Sequence, residues 1–174
     1  MIADACRSIA VLSTVALVLA VTTPSFMARP EGLPPGADWR RHIERVDEAL
    51  AGQNVKAAVE AWREAYAAAL GSLRWEGMVD VGDAYLRIGD FLDFRRAFLG
   101  DTRASYRAAL FRARQERSLE GLLRVTEAFA ALGDRPIAEY CLQLAEAVAL
   151  QRSDRESHAR VAAYARRLFG DRPA

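Results

Sequence analysis

Two stretches of the chain share one pattern: residues 78–91 read MVDVGDAYLRIGDF, and residues 122–134 read LLRVTEAFAALGD. In each stretch apolar residues recur every three or four positions, as they do on one face of an amphipathic helix. Each stretch then reaches a Gly-Asp pair. Glycine readily takes the left-handed conformation that closes a helix, and aspartate is a favoured N-cap of the next one. A helix–turn–helix unit that recurs along a chain predicts a repeat array.

The composition is that of a globular, helical protein. The chain has 174 residues, of which 52% are hydrophobic and 27% charged, so it is long enough for one domain with a core. Its formal net charge of +1 gives no indication of nucleic-acid binding. Cys6 lies in the N-terminal segment and Cys141 on the apolar side of a predicted helix, so we expect no structural disulfide.

Residues 1–28 are predicted to be a signal peptide or an N-terminal membrane anchor. Arg7 precedes an apolar run from Ile9 to Val21, and small or polar residues follow that run, as in a secretory signal. The run is shorter than the roughly 20 apolar residues of a typical transmembrane helix. Cleavage and retention both stay open. We therefore expect an exported protein, either periplasmic or otherwise extracytoplasmic, or anchored to the membrane by residues 8–23.

A proline- and glycine-rich linker is predicted at residues 29–38, followed by a helical domain at residues 39–170. Turns are expected at Gly52-Gln53-Asn54, at Gly89-Asp90 and at Gly133-Asp134, which divides the domain into three hairpins. The intervals between these turns are 37 residues (89 − 52) and 44 residues (133 − 89), so the repeat is uneven. A last helix is expected after Ser153, whose spacing to Glu156 is that of a capping box.

These hairpins resemble the tetratricopeptide repeat family. The second carries Gly82, Tyr85 and Gly89-Asp90-Phe91 where the family has its Leu-Gly-x-x-Tyr and Gly-Asp-Tyr signatures. The other two keep only the small and large residues of the return helix: Ala138, Leu142 and Ala145 in the third, and Ala58, Trp62 and Ala65 in the first. The resemblance implies an all-α, right-handed solenoid of about three helical hairpins plus a C-terminal capping helix. Phe94 departs from the family pattern, which has a small residue at its position.

The resemblance also implies a partner groove lined by the first helix of each hairpin. Three carboxylates at equivalent positions would make that groove mildly acidic. The alternative is that these acids are solvated and balanced by Arg87 and Arg124. The family's clamp for acidic C-terminal tails is not expected, because Val79 and Asp83 occupy two of its lysine and asparagine positions. The groove positions are Asp47, Asp83, Leu86, Arg87, Glu127, Ala130 and Ala131.

A basic stripe is predicted on the helix that follows the second turn. Arg96, Arg103, Arg107 and Arg114 have spacings of 7, 4 and 7 residues, which places them on one side of a helix that Gly100 does not interrupt. Such a stripe could meet phosphates, anionic lipid headgroups or an acidic protein. The alternative is a solvated outer face.

No motif of catalysis or of metal or cofactor binding is evident in the sequence. His42 and His158 lie far apart, and the chain has no Cys-x-x-Cys pair, phosphate-binding loop or nucleophile elbow. We therefore expect no enzyme, no cofactor, no nucleic-acid partner, and contact with a membrane only through the N-terminal segment. The leading hypothesis is an exported protein–protein interaction scaffold that helps assemble or regulate a cell-envelope complex. The alternative is a small helical ligand-binding or enzymatic domain with a buried polar pocket.

Overall fold

The computed structural model describes residues 38–170, and within them it contains seven helices and no strand. The predicted all-α class is confirmed. The predicted signal or anchor at residues 1–28 and most of the predicted linker lie outside the described residues. The helices are α1 (Asp38–Ala51), α2 (Val55–Ser72), α3 (Trp75–Phe91), α4 (Arg95–Gln115), α5 (Leu119–Ala131), α6 (Arg135–Arg152) and α7 (Arg155–Phe169).

The first six helices form three hairpins, α1/α2, α3/α4 and α5/α6, and α7 packs against the last of them. The first helix of each hairpin contacts the first helix of the next, so α1, α3, α5 and α7 form one row. The second helix of each hairpin also contacts the first helix that follows it. Between residues 38 and 170 no helix is long and apolar enough to cross a bilayer.

The three hairpin turns share one backbone geometry and are evenly spaced. Gln53, Asp93 and Gly133 have φ values of 57°, 53° and 77°, and they lie 40 residues apart (93 − 53 and 133 − 93). In each turn the N–H of the residue after the left-handed one donates to the carbonyl of the residue five positions earlier, as in the Schellman closure of a helix. The three bonds join Asn54 N to Ala49 O (2.8 Å), Phe94 N to Gly89 O (2.9 Å) and Asp134 N to Phe129 O (3.0 Å).

The first and third turns lie where the sequence predicted them, whereas the predicted second turn is wrong. α3 continues through Gly89-Asp90 to Phe91, and the chain turns only afterwards, around Asp93. Gly89 is buried, and a Cβ atom there would come within 2.8 Å of Phe98 Cγ. The glycine therefore provides room for the close approach of α4 and is not the left-handed residue of the turn.

The predicted capping box at Ser153 is also wrong, by one residue. Ser153 closes α6 in the left-handed conformation (φ 55°). Asp154 is the N-cap of α7, and its Oδ1 accepts a hydrogen bond from Ser157 N at 2.6 Å. This bond lowers the pKa of Asp154.

The core runs between the helices and is rich in small residues on the second-helix side. Its largest buried side chains include Trp39, Tyr106 and Phe129. Alanines let the helices approach closely, because a methyl group is the whole side chain. The alanines of α2, α4 and α6 with no exposed surface are Ala58, Ala65, Ala69, Ala109, Ala113, Ala138, Ala145 and Ala149.

One arginine closes the connection between the first two hairpins. Arg112 of α4 donates to Ala69 O (3.0 Å), Leu70 O (3.2 Å) and Arg74 O (2.9 Å), which lie at and just beyond the C-terminal turn of α2. The last carbonyls of a helix lack the usual backbone donor four residues later. Ala69 O also accepts from Ser72 Oγ and Leu70 O from Leu73 N, and the guanidinium adds to these donors.

Candidate functional site: the first-helix face

The row of first helices presents a polar face on which carboxylates of one helix pair with arginines of the next. Each pair joins residues 40 or 41 positions apart, which matches the 40-residue spacing of the hairpin turns. We call this set the ion-pair ladder. Its members are Asp47–Arg87 between α1 and α3, Asp83–Arg124 between α3 and α5, and Glu120–Arg160 and Glu127–Arg167 between α5 and α7.

All these pairs run in the same direction along the chain. The carboxylate belongs to the earlier helix and the arginine to the later one. In the first pair, Arg87 Nε and Nη2 donate to the two oxygens of Asp47 at 2.8 and 3.2 Å. Such two-point contact fixes the relative position of the two helices better than a single bond does.

The middle pair is the most enclosed one and also involves α4. Asp83 Oδ1 accepts from the Tyr106 hydroxyl at 2.5 Å, while Asp83 Oδ2 accepts from Arg124. The side chain of Asp83 is 28% exposed, compared with 51% for Asp47. Burial, and then the charge of Asp83, raise the pKa of Tyr106, so its hydroxyl stays a donor over the physiological range. This cluster links α3, α4 and α5.

Beside the first pair, a cleft of about 250 Å³ opens between α1 and α3. Trp39 Nε1 donates to Asp80 Oδ2 at 2.9 Å at this end of the row, and the Arg40 guanidinium stacks 4.7 Å from the Trp39 ring centroid. Arg40 and Glu44 are exposed, and within residues 38–170 neither forms an ion pair, although the charge of Arg40 also acts on the carboxyl of Glu76. The cleft is lined by Arg40, Ile43, Glu44, Asp80, Asp83 and Arg87.

The structure brings most of the predicted groove residues to this face, but their carboxylates are paired. Asp47, Asp83 and Glu127 each accept from an arginine of the next first helix, and Arg87 is one of those arginines. The remaining predicted positions lie in different environments. Leu86 is only 7% exposed and belongs to the core, Ala130 is half-buried, and Ala131 is exposed.

Sequence reasoning missed the other half of the ladder and most of the cleft. Arg160, Arg167 and Glu120 were not among the predicted groove residues, and neither were Arg40 and Glu44. A signal was present in the sequence, because an acid at one position and an arginine 40 or 41 positions later recur along the chain. The uneven turn spacing expected from Gly89 obscured that period.

The predicted basic stripe is divided by the structure. α4 is unbroken at Gly100. Arg103, however, donates to both oxygens of Asp134, at 2.5 and 3.0 Å, in the turn of the third hairpin. Arg96, Arg107 and Arg114 remain exposed, and none of these three forms an ion pair within the part of the chain that the structure describes.

Residues with potential chemistry do not converge within the described part of the chain. His42 Nδ1 lies 3.0 Å from Glu64 Oε2, and His158 is exposed on α7. No group of three or more His, Cys, Asp or Glu residues that could hold a metal ion occurs between residues 38 and 170. Cys141 is buried, and burial raises the pKa of its thiol to about 12. The buried polar side chains of this region are the hydroxyls of Thr102, Ser105, Thr126 and Ser157, each of which donates within its own helix or to its N-cap.

Comparison of the chain with models of known protein families, with curated proteins and with solved structures gave no match. Function is therefore inferred from the fold and from the surfaces described above.

Proposed function

We propose that this chain is a non-enzymatic interaction scaffold of tetratricopeptide-like hairpins that binds a protein or peptide partner on its first-helix face. The row of four first helices supports this proposal, because it forms one continuous surface held in register by the ion-pair ladder. A surface that is rigid before binding loses little conformational freedom when a partner docks.

The observation that carries the proposal is the cleft between α1 and α3. Its volume of about 250 Å³ is below the roughly 300–1,000 Å³ of a typical small-molecule site, and it suits one or two side chains of a peptide. Arg40 and Glu44 offer it charges of opposite sign that no ion pair occupies within residues 38–170. A partner segment with an acidic and a basic side chain would satisfy both.

A photo-crosslinking amino acid placed at Glu44 tests this proposal in the cells that express the chain. We expect one discrete crosslinked partner from position 44, and none from the control position Glu60, which is exposed on α2. Charge reversal in the cleft, Arg40→Glu, should abolish the crosslink, whereas Arg63→Glu on α2 should leave it unchanged. Equal crosslinking from positions 44 and 60, or none from position 44, would overturn the proposal.

We further propose that the scaffold is exported and helps assemble or regulate a cell-envelope complex. The apolar run from Ile9 to Val21, which lies outside the described residues, supports export. Cell fractionation with intact-mass measurement tests it. We expect the protein in the envelope fraction, with its N-terminal residues either removed or retained as an anchor. Recovery of the full-length chain from the cytosol alone would contradict export.

A further inference from the structure

The middle hairpin turn carries three large apolar side chains that stay substantially exposed. Phe91, Leu92 and Phe94 are 44%, 43% and 67% exposed, and they follow one another around the left-handed Asp93. We call these three residues the turn wedge. Although the first and third turns have the same backbone geometry, neither has an aromatic residue at an equivalent position: residues 51, 52 and 54 are Ala, Gly and Asn, and residues 131, 132 and 134 are Ala, Leu and Asp.

Phe94 is the clearest departure from what the helix itself favours. It is the N-cap of α4 and makes no side-chain capping bond. The equivalent Asn54 does make one, since its Oδ1 accepts from Ala57 N at 3.0 Å. Asparagine and aspartate are favoured N-caps and phenylalanine is not. An exposed phenylalanine at this position also gains little from burial, so neither capping nor packing accounts for it.

The exposed side of α4, which begins at this turn, carries three arginines that form no ion pair within residues 38–170. Arg96, Arg107 and Arg114 are spaced by 11 and 7 residues, close to whole helical turns, and so form a row about 27 Å long on one side of the unbroken helix. We call them the arginine row. Phe111, which is 63% exposed, lies on the same side, one turn after Arg107.

We propose that this surface docks on a lipid bilayer that contains anionic lipids, with the turn wedge in the interfacial region and the arginine row on the headgroup phosphates. Apolar side chains that project from a turn suit a fluid interface, and guanidinium groups bind phosphate oxygens in pairs. None of these three arginines forms an ion pair within residues 38–170, and their charge is complementary to an anionic surface. Because Asp90 and Asp93 lie in the same cleft as Arg96, this complementarity rests on Arg107 and Arg114.

A cleft with both acidic and basic side chains opens beside the turn. Its volume is about 500 Å³, and it is lined by Asp90, Asp93, Phe94, Arg95 and Arg96. Arg95 Nη1 donates to Asp90 at 2.5 Å, which leaves one cation, Arg96, and one anion, Asp93, without an ion pair at the wedge among the described residues. The arginine row lies on α4, a second helix, and the proposal does not depend on the scaffold function. It adds a second membrane contact to the N-terminal one expected from the sequence.

Site-specific fluorescence of the full chain tests the wedge. In a Cys6→Ser background, Phe94→Cys provides one reactive thiol, because Cys141 is buried. An environment-sensitive label at position 94 is mixed with phosphatidylglycerol–phosphatidylcholine vesicles that carry a nitroxide quencher on their acyl chains. The control label replaces Leu150, which is 65% exposed on α6. We expect several-fold stronger quenching at position 94 than at position 150.

Because both labels sit on the same full chain, binding of the vesicles by the N-terminal segment alone cannot produce that difference. Equal quenching at the two positions, or none at position 94 while the protein sediments with the vesicles, would overturn the proposal. A third outcome is that the label at position 94 becomes shielded from water as the protein concentration rises in the absence of vesicles. That result would show that the wedge contacts a second copy of the chain, and it would also overturn the proposal.

A double variant tests the arginine row. With Arg107→Gln and Arg114→Gln, the apparent partition coefficient measured from quenching at position 94 should fall by up to roughly 30-fold, since each cation near an anionic surface contributes about fivefold. The matched control, Arg41→Gln with Arg63→Gln on α1 and α2, should leave quenching unchanged. Unchanged quenching in the double variant, or equal quenching by pure phosphatidylcholine vesicles, would refute the role of the arginine row.

Discussion

Replacing Gly82 with alanine should destabilise the protein, although Gly82 lies inside α3, where alanine is normally the better residue. A Cβ atom at this position would lie 2.5 Å from Tyr106 Cε1 and 2.9 Å from Cδ1. The ring cannot easily move away, because it is 2% exposed, its hydroxyl is bonded to Asp83 and its edge packs on Phe129 with ring centroids 5.7 Å apart. The contact between α3 and α4 therefore has to open.

Two opposing effects set the size of this change. Alanine gains about 1 kcal/mol over glycine in a helix interior. Overpacking a well-filled core costs about 1–3 kcal/mol, and displacing Tyr106 also weakens its bond to a charged carboxylate, worth about 1.5–3 kcal/mol. We expect a net loss of about 1–2 kcal/mol, which corresponds to a melting temperature lower by roughly 3–8 °C.

Gly100→Ala is the matched control. Gly100 also lies inside a helix, but it is exposed and nothing lies within 4 Å of a Cβ atom built there. This variant should be more stable than the wild type by about 1 kcal/mol. Urea denaturation of both full-length variants, followed by circular dichroism, should give opposite signs for the same chemical change. If Gly82→Ala were as stabilising as Gly100→Ala, the close approach of α3 and α4 would be refuted.

Three further predictions concern charged groups. Arg112→Met should lower the free energy of unfolding by about 1–2 kcal/mol, because three hydrogen bonds to partly exposed carbonyls are lost. Arg114→Met should change it by less than about 0.5 kcal/mol, and equal values from urea denaturation would contradict the capping role. Asp83→Asn should lower the free energy of unfolding by about 1.5–3 kcal/mol, and Asp47→Asn should lower it by at most about 1 kcal/mol. The reverse order would contradict the burial of the middle pair. The lowered pKa of Asp154 means that its stabilising effect is complete above about pH 3.9 and is lost as the pH falls through the folded-state pKa. The difference in stability between wild type and Asp154→Ala should therefore shrink at acid pH, and a constant difference would show that the charge does not matter.

The helical class and two of the three hairpin turns were predictable from the sequence. At Gly133 the glycine does take the left-handed conformation, and Gly52 lies beside the left-handed Gln53. The middle turn was not predictable, because Asp93 is left-handed there and Gly89 serves packing instead. A sequence shows where glycines are, but it does not show whether each provides backbone freedom or space for a neighbouring side chain.

The candidate site was predictable in its location and only partly in its electrostatics. The alternative in which Arg87 and Arg124 balance the acids named two of the observed partners, but Arg160 and Arg167 were not expected. Helical periodicity and the family resemblance placed Asp47, Asp83 and Glu127 on one face. Their partners lie 40 or 41 residues later, and pairing at that distance depends on the register between hairpins. Arg103 shows the same limitation: its helical position fits the basic stripe, but Asp134 comes within reach only once the second and third hairpins pack.

Because all pairs of the ion-pair ladder run in the same direction, the two ends of the row of first helices differ. Every interior first helix offers acids to its successor and arginines to its predecessor, but the pairs occupy different registers. Asp47 and Glu127 are acids at the position where α3 carries Arg87, so a second copy of α3 inserted beside the first would set Arg87 opposite Arg87. At the C-terminal end of the row, Arg160 and Arg167 of α7 pair with acids of α5, and the only acid within α7 is Glu156 in its first turn. Simple copying of a middle unit would therefore not extend the ladder, and the last helix is suited to end it.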